Sequence, residues 1–505
     1  MTNLSKSKIL AYRQCPKRLW LEIHKPDLRD DSASETVFRI GHQVGEIART
    51  IYDPEGHGVT IDIEALGHGE ALAQSAVLLS QGITPIFEAG VTIEGALAYA
   101  DVMLPDQQDG ILAWKMIEVK SSGSVKDYHC DDIAVQTFIA TSMGIRLSSI
   151  SVAHIDSSFI YPGNGDYRGL LKENDLTEEA ISRSGEVREW LAGAQAVAAL
   201  SDEPEIEPGP HCGNPYTCGF CEYCNRDQIG PEPEYPLTSL PNFNWRKQEM
   251  MEELGIDDLR LVPDKYLSDR QAHVKAHTVA GTVFFDAEGA AADLAPYGFP
   301  AYFLDFETAR FTVPVWEGTR PFQQIPFQFS LHILSEIGTL QHHGFLDLSG
   351  EDPSHACALS LIDLCGDHGP VFAYNASFEC RVMRELSGRF PDLAPALDSI
   401  MDRVVDLYPI AKDRYYNPSQ HGRWSLKAVL PAAIPDLSYD ELDGVHDGNM
   451  AGEAFMEAIH PDTTPERKKV IEDQLNAYCH LDTFAMVRLW EKFSGSTIRR
   501  DSDLA

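Results

Sequence analysis

The sequence predicts an α/β protein in more than one part, and three observations carry that expectation. Apolar runs of strand length alternate with longer stretches of helical period on both sides of one boundary. The boundary, residues 202–240, is dense in Pro, Gly and acids and holds a knot of cysteines. The chain has 505 residues, about three times a usual domain of roughly 150, so two or three cores are expected.

In chain order, ETVFRIGHQVGEIARTIY has a helical apolar stripe, and TPIFEAGVTI, LAYADVML, WKMIEVK and SSISVAHI read as strands. CDDIAVQTFIATSMG between the last two is helical, so residues 1–230 form a first α/β domain. Residues 231–295 are mostly helical, and EELGIDDLRLVP suits a small helical hairpin, a packing linker ahead of a DNA-backbone contact. From residue 296 to 505 the strands AYFLDF, PFQFSLHIL and PVFAYNA alternate with HACALSLIDLCG and ERKKVIEDQLNAYCHLDTFAMVRLWEKF, a second α/β domain. There is no internal repeat, P-loop or GxGxxG, which sets aside nucleotide-driven motors.

Hydrophobic residues make up 43%, yet no apolar run reaches the ~18 residues of a membrane span. The opening MTNLSKSKILAYRQCPKRLW has no secretory h-region, so a cytoplasmic location is expected. Against 77 acids stand 41 Lys and Arg, a net charge of −36 that repels phosphate and excludes an electrostatic coat on duplex DNA. Nucleic-acid contact must then be local. In residues 1–30, Lys6, Lys8, Arg13, Lys17, Arg18, Lys25 and Arg29 outnumber Glu22, Asp27 and Asp30. In a reducing compartment clustered cysteines are metal ligands before they are disulfides. Cys212, Cys218, Cys221 and Cys224 are clustered, whereas Cys130, Cys357, Cys365, Cys380 and Cys479 are scattered and read as small buried residues.

Asp101 closes LAYADVML, and strand alternation puts Glu118 and Lys120 on one face with Val119 turned into the core. Asp101 and Glu118 suit a divalent metal, with Lys120 positioning or deprotonating water beside a scissile phosphate. A salt-bridged strand pair is the plain alternative. A helix with His42 and Glu46 precedes these residues, and VKDYHCDDIAVQTFIA follows with Gln136. Together they resemble the PD-(D/E)XK nucleases of the RecB type, especially the CRISPR-associated iron-sulfur nucleases. The resemblance implies a helical metal ligand ahead of the motif, a role open to His42 or Glu46, and a QxxxY helix after it. Here Ala140 stands where that pattern has Tyr.

The same resemblance implies a 4Fe-4S cluster held by one early cysteine and three late ones. Cys15 with Cys212, Cys218 and Cys224 are the expected ligands, leaving Cys221 over. Zinc on the four clustered cysteines is the runner-up.

Asp305 and Glu307 end AYFLDFE on one strand face, Glu379 follows in NASFE, and Tyr478 and Asp482 stack at i and i+4 on a helix. Such acids suit two magnesium or manganese ions about 4 Å apart, with Tyr478 orienting the water. This order resembles the DEDDy exonucleases of the RNase H-like superfamily, with Glu379 where that family carries Asp. LSKSKILAYRQCPKRLWL, PFQFSLHIL and RWSLKAVLP resemble a bacterial family of uncharacterised function that fuses the two nuclease-like domains. The resemblances imply a restriction-endonuclease-like PD-(D/E)XK domain, a helical linker and an RNase H-like domain. They imply a metal-dependent nuclease of DNA ahead of RNA, exonuclease ahead of endonuclease, in DNA repair or phage defence. The alternatives are a nucleic-acid-binding scaffold with one or both sites inactive, and a redox sensor that reads its cluster.

Overall fold

The computed structural model describes residues 3–30, 35–226 and 233–498. It is a mixed α/β structure whose contacts divide it into two compact units, Met1–Gly230 with Phe311–Phe322, and Pro231–Arg310 with Gln323–Ala505. No helix among the described residues is long and apolar enough to cross a membrane.

The first unit has one sheet of β1 (Leu4–Ser5), β2 (Val59–Thr60), β3 (Ile86–Ile93), β4 (Ala96–Gln108), β5 (Ile111–Lys120), β6 (Leu147–Ile155) and β7 (Leu171–Asp175). Their order is β2-β3-β4-β5-β6-β7, with β1 beside the start of β4. Strands β3 to β5 form an antiparallel meander. Between β4 and β5, Asp109 and Gly110 have φ of 55° and 74°, the paired positive values that a tight type I′ hairpin requires. β5 and β6 are parallel, so they need a crossover, and the helix Asp127–Ser142 supplies it. Ala96, Ala98 and Ala100 of β4 share a core with Ile133, Phe138 and Ile139 of that helix.

Alternation along β4 slips at one point. Ala98 and Ala100 share their core with Met103, while Val102 faces a second core with Phe87 and Ile117. Asp101 sits at the slip, within β4 and not at its end as expected. Opposite it in the β3–β4 register falls Glu88, with φ of 56°. Non-glycine residues held in this left-handed region cluster at functional sites.

Phe311–Phe322 leaves the second unit's sheet and packs in the first. Val313 joins Val44, Ile155 and Leu170 in a small core, and Tyr161 exchanges backbone hydrogen bonds of 3.0 and 2.8 Å with Thr319 and Gly318.

Strands of the second unit are β8 (Phe284–Phe285), β9 (Ala301–Arg310), β10 (Gln324–Leu334), β11 (Leu340–Leu346), β12 (Val371–Ala373), β13 (Val404–Asp406) and β14 (Tyr415–Tyr416). Five of them make a sheet in the order β11-β10-β9-β12-β13, and β8 pairs with β14. β9, β10 and β11 are antiparallel neighbours, whereas β12 runs parallel to β9 and β13 parallel to β12. The helix Pro465–Ser494 packs on β9 and β10. Residues 231–295, expected as a separate linker, cluster with this unit: Arg414 donates to Asp286 at 2.7 Å and to Asp293 at 2.8 Å, clamping the helix Ala287–Leu294. EELGIDDLRLVP is no helical hairpin, because the helix Trp245–Glu253 gives way to short 3-10 turns in which Leu259 and Val262 are buried.

Ser75 joins helix to sheet in the first unit. Fully buried on the helix Ile63–Gln81, its hydroxyl donates to Ala71 O at 2.7 Å and accepts from Gly90 N of β3 at 2.9 Å. Ser75→Ala leaves that amide unpaired and is expected to destabilise the unit by about 1–3 kcal/mol, read as a lower urea midpoint. An unchanged midpoint would show that Ser75 carries no such tie.

Candidate metal centres

Glu118 on β5 is 2% exposed, and both of its oxygens are engaged. Oε1 accepts from Lys6 Nζ at 2.8 Å and from Lys120 Nζ at 2.6 Å, and Oε2 accepts from Gln136 Nε2 at 2.5 Å. The same two ammonium groups pair with Asp132, Lys6 at 2.8 Å and Lys120 as a shorter ion pair. Asp101 accepts from the Val119 amide at 2.7 Å, a bond that fixes it against the strand bearing Glu118. Burial, and next the Glu118 charge, hold Asp101 well above the usual carboxylate range. Burial also raises Glu88, against the pull of Arg49. For Lys6 and Lys120 burial opposes the charge, but Asp132 and Glu118 outweigh it and keep both protonated.

Asp101, Glu118, Lys120 and Gln136 are thus brought together. His42 and Glu46 are on the helix Glu35–Tyr52, 72% and 61% exposed and paired with each other at 3.5 Å, and His42 is near enough for its charge to act on Glu88. Lys6, Glu88 and Asp132 complete the group without having been singled out by sequence. Asp132 alone carried a local signal, one helical turn before Gln136.

Cys15, Cys212, Cys218, Cys221 and Cys224 line one pocket, and all five are free thiols. Cys15 lies where the helix Lys6–Gln14 ends and the helix Pro16–His24 begins. Trp20, Leu21, Cys218, Phe220 and Tyr223 form the small core that holds the pocket. Burial raises the thiols of Cys15 and Cys221 and pushes Cys224 up to about 11, opposed by the nearby Lys17. The Cys221 and Cys212 side chains are in contact, while among the described residues the one group of three ligand atoms within 4.8 Å of each other lies elsewhere.

That group is Asp305, Glu307 and Cys479 in the second unit. β9 carries the two acids opposite Ser330 and Gln328 of β10, and the helix Pro465–Ser494 presents Tyr478, Cys479 and Asp482, all buried. Glu379 enters from the first turn of the helix Ser377–Arg389. Tyr439 donates to Asp482 at 2.5 Å, and Tyr478 hydrogen-bonds the same carboxylate. The Lys427 ammonium stands 5.2 and 5.5 Å from the ring centres of Tyr478 and Tyr439. Burial, then the Asp482 charge, raises Asp305 and Glu307 well above the usual range. Burial pushes Glu379 up to about 8 and Asp482 to about 6, where the tyrosines and Lys427 restrain it. Oε2 of Glu379 is buried without a hydrogen-bond partner, and its charge acts on both Asp305 and Glu307. All five predicted residues share one field. Tyr439, Lys427 and Cys479 are additions; Cys479 is buried as expected, with its sulfur close to Asp305 and Glu307.

The basic segment 1–30 is not a free cationic patch. Lys8 and Arg18 pair with Glu22 at 3.3 and 2.9 Å, Arg13 with Asp131 at 3.4 Å, and Lys17 and Lys25 with Glu203 at 3.0 Å each. Compared with known families, residues 302–425 match a domain of unknown function, DUF2779, which takes in Asp305, Glu307 and Glu379. No curated protein matches the chain.

A glutamate whose folded pKa is raised holds its proton after the unfolded chain has lost it, so the unfolded state gains stability as pH climbs. Without divalent ions, stability is therefore expected to fall between about pH 4.3 and about 8, the folded value of Glu379. Glu379→Gln should flatten that slope, and Mn²⁺ should raise Tm more at pH 8 than at pH 6. Thermal melts with and without the ion check both, and an unchanged slope in Glu379→Gln would reject the assignment.

Proposed function

We propose that the protein is a metal-dependent nuclease that hydrolyses phosphodiester bonds of DNA, with RNA second and exonucleolytic cleavage ahead of endonucleolytic. The observation that carries the proposal is the convergence of Asp305, Glu307, Glu379, Tyr478 and Asp482, drawn from three distant segments, into one buried acid group. Supporting an RNase H-like reading of this unit is its strand order, three antiparallel strands with two parallel ones added beside β9. In the first unit, the run of helix, three-stranded meander, helix and parallel strand supports a PD-(D/E)XK reading.

Asp305, Glu307, Glu379 and Asp482 would hold Mg²⁺ or Mn²⁺ in one unit, and Asp101 with Glu118 in the other. Ions bound there would polarise the scissile phosphate and lower the pKa of water, so that hydroxide is available at neutral pH. Around them, this chain's own groups orient and balance charge. Tyr478 keeps its proton, because burial and then Asp482 raise its pKa, so its hydroxyl can donate to Asp482 or to a water. Lys120 stays an ammonium and can offset charge developing on the phosphate. DNA repair or phage defence, and a cytoplasmic, reducing setting that leaves the thiols free, belong to the same proposal.

A 4Fe-4S cluster belongs in the thiol pocket, with Cys15, Cys212, Cys218 and Cys224 as ligands. Tetrahedral zinc on the four clustered cysteines is the second reading of this pocket. Thiolates are also the usual ligands of iron-sulfur clusters. A scaffold reading rests on Glu118, whose oxygens are taken by Lys6, Lys120 and Gln136. It places binding without cleavage at the first centre.

End-labelled single-stranded and duplex DNA and RNA, incubated with Mn²⁺ or Mg²⁺, test the nuclease reading. Lys120→Ala or Asp482→Ala should slow cleavage about a hundredfold at the centre each serves. Equal products from wild type and the double variant would overturn the proposal, and tight binding without cleavage would favour the scaffold. Protein purified without oxygen should carry about four iron and four sulfide per chain, lost in Cys15→Ser and kept in Cys221→Ser. Stoichiometric zinc in their place would refute the cluster.

A further inference from the structure

Cys479 stands apart from the other buried cysteines. Cys357 and Cys365 are fully buried inside the apolar core of their unit. Cys479 is 1% exposed, yet its ligand atom lies within 4.8 Å of those of Asp305 and Glu307. After burial, its strongest electrostatic neighbours are Asp305, Glu307 and Asp482. A thiol that served only to fill space would gain nothing from carboxylates. An independent observation at Glu379 points to a cation as the ligand of this group. Glu379 is 2% exposed, has a buried Oε2 without a partner, and adds its charge to Asp305 and Glu307.

We propose that Cys479, with Asp305 and Glu307, makes this centre a mixed oxygen–sulfur site that takes a thiophilic divalent cation of the zinc class in preference to magnesium. The inference rests on reading the second unit as a metal centre, but not on cleavage. Magnesium demands six oxygen ligands in near-ideal octahedral geometry and gains nothing from sulfur. Zinc and cadmium accept a thiolate beside carboxylates in fewer-coordinate geometry. On binding, the S–H bond of Cys479 breaks, its proton passes to solvent, and the sulfur electron pair forms the bond to the aqueous cation that enters. No oxidation or reduction takes place. The backbone makes the thiol available: Cys479 follows Tyr478 and precedes Asp482 by three positions on the helix Pro465–Ser494, so one helical turn delivers tyrosine, thiol and carboxylate to β9.

Cadmium NMR of the full-length chain tests this, with Cd²⁺ as the probe. The unaltered protein should give a resonance of an ion with a single sulfur ligand, apart from any multi-thiolate resonance from the cysteine pocket. Cys479→Ser should abolish it. Asp305→Asn should abolish it too, although that variant loses no sulfur, which shows that carboxylate and thiol hold one ion. Excess Mg²⁺ should leave the resonance in place. The inference is overturned if the unaltered protein gives no single-sulfur resonance, if Asp305→Asn keeps it, or if Mg²⁺ displaces it. Magnesium-dependent cleavage without the resonance would sink this inference alone, and the resonance without cleavage would sink only the nuclease reading.

Discussion

Carboxylates buried beside carboxylates are the constraint to which both units are fitted. Charges of like sign in a poorly solvated space repel strongly and cannot all remain ionised without compensation. The first unit answers with fixed cations: Lys6 and Lys120 are shared between Glu118 and Asp132, and Gln136 takes the remaining oxygen of Glu118. The second unit answers with protons and hydroxyls, so Glu379 and Asp482 titrate high and two tyrosines converge on Asp482. The first centre is therefore balanced by ammonium groups, the second by retained protons, two tyrosine hydroxyls and the charge of Lys427.

Much of each centre was legible because its residues are local to one element. Glu118 and Lys120 are two apart on a strand, and Tyr478 and Asp482 one turn apart on a helix, spacings that periodicity alone places on one face. What stayed hidden arrives across long separations or breaks the periodicity. Lys6 meets Glu118 across 112 positions, and nothing in its neighbourhood marks it among seven basic residues in the opening segment. Glu88 lies opposite Asp101 where the alternation of β4 slips, so strict period two does not mark it although Asp101 itself was found. Tyr439 lies in a short 3-10 turn without a motif of its own, and Lys427, although inside RWSLKAVLP, carries no catalytic spacing that marks it. The fold class was carried by alternating element lengths, but the assignment of residues 231–295 depended on Arg414 reaching two aspartates more than a hundred residues earlier.

The helix Lys6–Gln14 gives the first unit an internal linkage. Nine residues at about 1.5 Å each span about 13 Å, with Lys6 in the acid centre at one end and Cys15 in the thiol pocket just past the other. Its basic residues look like a nucleic-acid surface in sequence. In the fold they are taken up by acids of this unit, Lys6 by Glu118 and Asp132, Lys8 by Glu22 and Arg13 by Asp131. Under the proposed cluster reading, whatever fastens Cys15 also steadies the lysine that balances Glu118.

The excursion Phe311–Phe322 makes each unit discontinuous along the chain. The chain enters the first unit, leaves it at residue 230, and returns between β9 and β10 to seal Val313 against Val44, Ile155 and Leu170. Cutting the polypeptide once cannot release either half intact: a severed first half loses part of its own interior, and a severed second half carries an orphaned apolar loop. A single exchange at the 230 boundary would therefore carry away Phe311–Phe322, a part of the first unit, with the second.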